Sequence, residues 1–153
     1  MPRPLLRIPL ALALAASATL AIAENPRPGL WARDMSVSAD GQRWNAMPTS
    51  KSCLSAQEAS TSIEQMLQNV VSQAAASQCR AVGVTAGGGR TQGRFECAGA
   101  GKPAIYEVKG SYASDRYQLD IVGTDVADVS GRGGVVPKLF VKQQGRHVGA
   151  CPA

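Results

Sequence analysis

The reactive side chains of this sequence are four cysteines: Cys53, Cys79, Cys97 and Cys151. Cysteine thiolates can bind zinc, exchange disulfides or form structural bridges. Zinc ligands usually come in close pairs such as C-x-x-C, whereas these cysteines stand 26, 18 and 54 positions apart. The missing C-x-x-C also argues against a thioredoxin-like redox site. An even number of widely spaced cysteines is typical of structural disulfides in an oxidising compartment.

The stretch between the two middle cysteines predicts how the four cysteines pair. When it is folded back at Gly88, the opposed residues are Cys79 with Cys97, Arg80 with Glu96, Ala81 with Phe95, and Thr85 with Thr91. Opposed residues of a non-hydrogen-bonded antiparallel pair lie about 4.5 Å apart at Cα, within the roughly 4.4–6.8 Å that a disulfide tolerates. Of the three possible connectivities, this hairpin selects the one in which Cys53 bonds Cys151.

The sequence lacks the common catalytic sets. His147 is the single histidine, so neither a two-histidine metal site nor H-E-x-x-H is possible, and G-x-S-x-G is absent. Its position beside Arg146 is typical of an exposed tail residue. A carboxylate pair of the glycosidase kind could be drawn from Glu96, Glu107, Asp120 and Asp125. Because no pattern singles out two of them, we expect no enzymatic activity, no cofactor and no metal.

The N-terminus predicts export. Arg3 and Arg7 precede an apolar run over residues 8–20, and Ala21-Ile22-Ala23 is a small-x-small cleavage motif. The run is shorter than the ~20 apolar residues of a membrane-spanning helix. We therefore expect residues 1–23 to be a cleaved signal peptide, residues 24–153 to form one domain, no membrane span after cleavage, and a periplasmic or secreted location.

The charge of the exported part gives little support for nucleic-acid binding. Removal of Arg3 and Arg7 from the 16 basic residues leaves 14 against 11 acidic ones, a net charge of +3. The basic residues are scattered and are accompanied by few aromatic ones, which is typical of a solvated surface. We expect no nucleic-acid partner.

One segment has the pattern of an amphipathic helix. Ser55 and Glu58 have the spacing of a capping box, and no Pro or Gly interrupts the chain from Ser55 to Ser77. Apolar residues recur at three- and four-residue steps, at Ala59, Ile63, Met66, Leu67, Val70 and Ala74. The pattern predicts one long helix.

The rest of the chain alternates in the manner of antiparallel strands. A turn at Asp40-Gly41 predicts Val37 opposite Trp44 and Met35 opposite Ala46. A turn at Ser114-Asp115 predicts Tyr112 opposite Tyr117, Val108 opposite Ile121, Gly110 opposite Leu119, and Lys109 opposite Asp120.

A last strand is expected over residues 135–141, and Pro137 predicts that it lies at a sheet edge or a bulge. Arg33 interrupts the apolar face of the first strand, as a strand end or a snorkelling stem would.

Together these elements predict an α+β domain, in which one long amphipathic helix packs on a curved antiparallel sheet of about six or seven strands, with two disulfides.

Short motifs spread over the chain resemble those of the DUF3617 family of uncharacterised exported bacterial proteins. They are Pro28-Gly29-Leu30-Trp31, Met47-Pro48, Cys53-Leu54-Ser55, the two middle cysteines and Gly149-Ala150-Cys151. Ala32 is a departure, because the family commonly has Glu after the Trp. The resemblance implies export and the four-cysteine layout, and it implies no activity.

The sequence thus favours a non-catalytic binding or interaction module of the cell envelope, with an envelope protein or a small apolar ligand as partner. One alternative is a carrier of a small apolar ligand, held between sheet and helix near Met66, Tyr106 and Tyr112. The other alternative is an envelope hydrolase that uses a carboxylate pair.

Overall fold

The computed structural model describes residues 25–98, 102–127 and 134–152 of the 153-residue chain. The predicted signal peptide, residues 1–23, lies outside the described residues. The described elements are β1 (Gly29–Ser38), β2 (Asn45–Ala46), β3 (Ser50–Leu54), α1 (Ala56–Ala59), α2 (Ile63–Ala75), β4 (Cys79–Gly87), β5 (Arg90–Cys97), β6 (Ala104–Tyr112), β7 (Arg116–Ala127) and β8 (Val135–Gly149). Neither described helix combines the length and apolar character that crossing a membrane requires.

The strands form one antiparallel sheet. Strands β4 to β8 make a meander in which each strand pairs with the next. Strand β8 also pairs with β1, and β1 carries β2 and β3 along its other edge. The order is β2-β1-β8-β7-β6-β5-β4, with β3 also on β1. The predicted antiparallel sheet is confirmed, with eight described strands where six or seven were expected.

The connection between β3 and β4 must cross the sheet, because these strands lie at its opposite ends. Helix α2 is part of this connection, and it buries Leu67 and Val71 against the sheet. We call the face that α2 covers the inner face and the opposite one the outer face. Phe95, Tyr106 and Ile121 point to the inner face and are almost fully buried there.

The prediction of one long helix is wrong. The chain forms a short helix, α1, and a helix of 13 residues, α2, with a break at residues 60–62. Ser60 and Thr61 donate from their hydroxyls to the carbonyls of Gln57 and Glu58, and Ser62 caps a new helix start. Such short polar side chains compete with helix hydrogen bonds. The capping box predicted at the start of α1 is present.

Two of the three predicted hairpin registers shift. The β6–β7 pairing has the predicted partners throughout, including Lys109 opposite Asp120. In β4–β5 the first three pairs agree, but a bulge at Val82 then moves Thr85 opposite Gln92 rather than Thr91.

Between β1 and β2, Val37 faces Asn45 instead of Trp44. Here the Asp40 carboxylate accepts the backbone N–H groups of Gln42 and Arg43, and it organises a turn wider than two residues.

The last strand is longer and more central than predicted. Strand β8 runs from Val135 to Gly149 and lies between β1 and β7, but its segment up to Leu139 pairs with β7 alone, so Pro137 lies at a local sheet edge as predicted. Pro137 is tolerated because β1 begins to pair only at Phe140. On the β7 side, Asp125 has a φ of +56° and interrupts the ladder opposite Pro137.

Two disulfides flank the helical crossover. Cys53 bonds Cys151 with Cα atoms 5.6 Å apart, and Cys79 bonds Cys97 with Cα atoms 4.0 Å apart. These are the pairs that the hairpin argument predicts. The first bridge fixes the chain just before α1, and the second fixes it just after α2. The two ends of the crossover are therefore held covalently to opposite ends of the sheet.

Candidate functional site

The inner face is filled by side chains where α2 crosses β4 to β6. Leu67 and Val71 pack there in one cluster with Phe95 and Val108, and all four are buried. Gln68 fixes the helix to β4 by donating from Nε2 to the carbonyl of Cys79 at 2.9 Å. We call this region the packed end of the inner face.

A small apolar pocket adjoins the packed end, between α2 and strands β1, β6 and β7. Its volume is about 60 Å³. Met66 and Tyr112, two of the three residues predicted near an apolar ligand, line it together with Trp31, Val70 and Tyr117. A cavity needs about 10–15 Å³ of such volume to hold one water molecule. The pocket therefore holds a group of only a few atoms as it stands.

Tyr106, the third predicted pocket residue, does not line the pocket. Its side chain is 1% exposed and packs over Gly123, where a Cβ would come within 2.8 Å of Tyr106 Cε1. Burial raises the pKa of its phenol. Tyr106 is a core residue, because Gly123 on the neighbouring strand gives its ring space within the sheet layer.

The stacked rings of Trp31 and Tyr117 form an aromatic wall of the apolar pocket on the side of β8. Gly145 carries no side chain, and a Cβ there would collide with the ring of Tyr117. The Tyr117 ring therefore lies across β8 and stacks on Trp31 with centroids 6.0 Å apart. Trp31 is held in turn by its Nε1–H, which donates to the carbonyl of Arg27 at 2.9 Å.

Three polar side chains, which we call the polar cluster, lie at this wall: Arg33, Tyr117 and Gln143. Gln143 is 9% exposed and donates from Nε2 to Tyr117 Oη at 3.1 Å. Arg33 pairs in register with Gly145, over which Tyr117 lies, and its Nε is buried without a hydrogen-bond partner. Burial raises the pKa of Tyr117, while the Arg33 charge and the bond from Gln143 oppose that rise.

A second cavity, of about 230 Å³, opens beside the polar cluster. Arg33 and Gln143 line it together with apolar side chains of β1 and α2, among them Met35 and Val70. Val70 also lines the apolar pocket, so the two cavities adjoin across this one side chain. We call this region, with both cavities and the polar cluster, the open end of the inner face.

Comparison with known proteins places this architecture in a family. Residues 26–151 match the sequence model described as "Protein of unknown function (DUF3617)". The chain belongs to the DUF3617 family. Searches of curated proteins and of solved structures gave no match. The family description names no activity, so it carries no argument for or against catalysis.

The lone histidine of this DUF3617 chain lies at the open end and not in an exposed tail, which corrects the sequence prediction. His147 pairs with Trp31 between β8 and β1, and its ring meets the Trp31 ring edge-on at 5.9 Å. Its Nε2 lies 3.2 Å from the carbonyl oxygen of Pro28. The imidazole therefore supports the position of Trp31 and of the segment that precedes β1.

The four acidic residues considered for a carboxylate pair each lie beside a basic residue on the described part of the DUF3617 chain. The ion pairs are Arg80–Glu96, Arg94–Glu107 and Lys102–Asp125. Asp120 lies between Lys109 and Lys142 in the ladder. Over the described ranges, no three His, Cys, Asp or Glu residues converge as metal ligands.

Sequence reasoning missed the polar cluster, although one signal pointed to it. Arg33 breaks the apolar alternation of β1, and a strand end does not explain it because β1 continues to Ser38. Gln143 lies beyond the predicted end of the last strand. Tyr117 was predicted on the right strand and face, but its position over Gly145 follows only from the pairing of β7 with β8.

Proposed function

We propose that this DUF3617 protein is an exported, non-catalytic binding module that holds a small molecule between α2 and the open end of the inner face. The observation that carries the proposal is the pair of cavities that adjoin across Val70. At the packed end the same helix covers the apolar side chains of Phe95 and Val108 with Leu67 and Val71. Two disulfides support export, because such bridges persist in oxidising compartments.

The size and lining of the cavities favour a small amphipathic ligand. The volumes of about 60 Å³ and about 230 Å³ together approach the lower limit of roughly 300 Å³ for pockets of drug-sized ligands. Apolar side chains form most of both walls, and the larger cavity adds polar side chains, Arg33, Ser50 and Gln143 from the sheet and Gln73 from α2. A chain of a few methylenes with one polar head matches this division.

A carrier of a purely apolar ligand is the second candidate. Met66 and Tyr112 line one apolar pocket, which favours it. That pocket alone is about 60 Å³, so the helix would have to move away from the sheet to admit a whole ligand. The polar cluster would also remain unused. We therefore favour the amphipathic ligand.

A direct test uses Trp31 as the reporter. The chain has two tryptophans, so Trp44→Phe leaves Trp31, which lines the apolar pocket, as the single tryptophan, excited apart from the tyrosines. Titration with 1-octanol should change its emission saturably. Val70→Phe in the same background should fill the space between the cavities and weaken binding about tenfold, or about 1.4 kcal/mol.

The matched control is Val82→Phe, which adds the same side chain at the exposed bulge of β4. It should leave octanol binding unchanged. An emission change that is linear in octanol, or one that Val82→Phe alters as much as Val70→Phe does, would contradict the proposal.

A further inference from the structure

Arg33 is the charged residue of the inner face that the fold does not explain. Residues of β1 alternate between the two faces, and Arg33 lies on the inner face between Trp31 and Met35. Its guanidinium therefore faces α2 and lines the larger cavity. A strand packed under a helix normally carries apolar residues at such positions. Arg33 is half-buried overall, and its Nε is buried without a hydrogen-bond partner, so an anionic partner would be favourable there.

The described residues supply no such partner. Within the described chain, none of the ion pairs with an N···O distance of up to 4.0 Å includes Arg33. Its charge does lower the pKa of Glu58, but only after the larger effect of the Ser55 backbone N–H. Glu58 is committed to the capping box of α1, where its Oε2 accepts that N–H at 2.8 Å.

The neighbours of Arg33 complete a binding site for the polar group of a small ligand. Gln143 lines the same cavity and is 9% exposed. It donates to Tyr117, whose own hydroxyl proton has no acceptor within the part of the chain that the structure describes. Met35, Val70 and Ala74 supply an apolar wall beside these groups. A planar guanidinium matches a carboxylate with two parallel hydrogen bonds, which is the strongest common pairing of this kind.

We propose that the open end binds a small alkyl carboxylate, with the carboxylate on Arg33 and the alkyl chain between α2 and the sheet along Met35 and Val70. This inference rests on the proposed function and names its ligand class. The carboxylate supplies the missing anion. The chain displaces water from the apolar walls and extends past Val70 toward the pocket at Trp31 and Met66.

The experiment compares octanoate with 1-octanol in the Trp44→Phe background, by Trp31 emission and by calorimetry. Wild-type cavities should bind octanoate at least about tenfold more tightly than octanol, because a charge-assisted pair replaces a neutral contact. Arg33→Met keeps the length of the stem and removes the charge. It should abolish this preference and leave octanol affinity within about twofold.

Arg94→Met is the matched control, because it removes one positive charge from the outer face, where Arg94 is 4.0 Å from Glu107. It should leave both affinities unchanged. Equal binding of octanoate and octanol by the wild-type cavities would overturn the carboxylate assignment and leave the binding module standing. Binding of neither compound would remove both proposals.

The wild-type comparison needs no variant at Arg33, so it decides the inference even where Arg33→Met fails to fold. Saturable octanoate binding that Arg33→Met does not weaken would also overturn the assignment. Loss of both affinities in Val70→Phe, with Val82→Phe unchanged, would place both compounds between α2 and the sheet as proposed.

Discussion

The packed end and the open end of the inner face are built from the same sheet and covered by the same helix, yet they differ in kind. At the packed end, Val71 and Phe95 are 0% exposed and meet apolar neighbours. At the open end, a buried guanidinium nitrogen without a partner and a buried amide adjoin two cavities. Apolar contacts stabilise a fold, whereas unpaired buried donors cost free energy.

This difference indicates that α2 stabilises the fold at the packed end and covers the candidate site at the open end. The Cys79–Cys97 bridge, Gln68 and the core residues hold one side of the crossover, so the other side can keep groups that do not contribute to stability. Proteins commonly tolerate such groups where binding requires them. The comparison can be tested by changing each end separately.

The largest expected effect comes from the disulfides, one at each end. Replacing Cys53 and Cys151 by Ala opens a link across 98 positions and should lower the free energy of unfolding by about 4.7 kcal/mol in the chain-entropy model. Replacing Cys79 and Cys97, which are 18 positions apart, should cost about 3 kcal/mol. Guanidinium unfolding of both variants measures the two losses. A greater loss at the shorter link would show that the packed end depends on its bridge for more than chain entropy.

The second largest effect is expected when one core side chain is shortened at each end, because the loss of stability should differ between the two ends. Phe95→Ala removes a fully buried ring from the packed end and should lower the free energy of unfolding by about 4 kcal/mol. Met66→Ala, at a half-buried position that already borders a pocket, should cost less than about 2 kcal/mol. Urea unfolding provides both values. Equal losses would mean that the open end is packed as tightly as the rest of the core.

How far the sequence predicts these two ends depends on the range of the interactions. The β6–β7 register and the capping box at Ser55 are predicted correctly because alternation and cap spacing are local. The break at residues 60–62 is missed because its hydroxyls can either stay solvated on a helix or bind its carbonyls, and the sequence does not decide between these. The bulge at Val82 leaves the apolar pattern around it unchanged.

The candidate site is only partly predictable for the same reason. Met66 and Tyr112 follow from helical and strand periodicity, so both are placed on the inner face in advance. The position of Tyr117 depends on Gly145, which belongs to a different strand. Arg33 is visible as an exception to its strand, but its lack of a partner depends on where Glu58 and the other acidic residues lie in the fold.

A smaller effect of opposite sign is expected at the polar cluster. Without ligand, Arg33→Met should raise the free energy of unfolding by about 1–2 kcal/mol, because it removes a buried donor that has no partner. Arg94→Met, at an exposed position, should change it by less than about 0.5 kcal/mol. Thermal and urea unfolding of both variants measure the difference. Destabilisation by Arg33→Met would mean that the guanidinium contributes to the fold and would weaken the contrast between the ends.

The smallest expected effect lies at the C-terminus of α2, where the helix joins the packed end. Ala76 ends the helix with a φ of +48°, a left-handed conformation that costs a residue with a Cβ more than it costs glycine. Ala76→Gly should therefore raise the free energy of unfolding by about 0.5–1 kcal/mol. Ala75→Gly, one residue earlier and inside the helix, should lower it by about 1 kcal/mol. Ala75 packs against the core, so its loss combines helix propensity with packing, whereas Ala76 is exposed. A gain at Ala76 in urea unfolding would support the backbone explanation, and a loss there would contradict it.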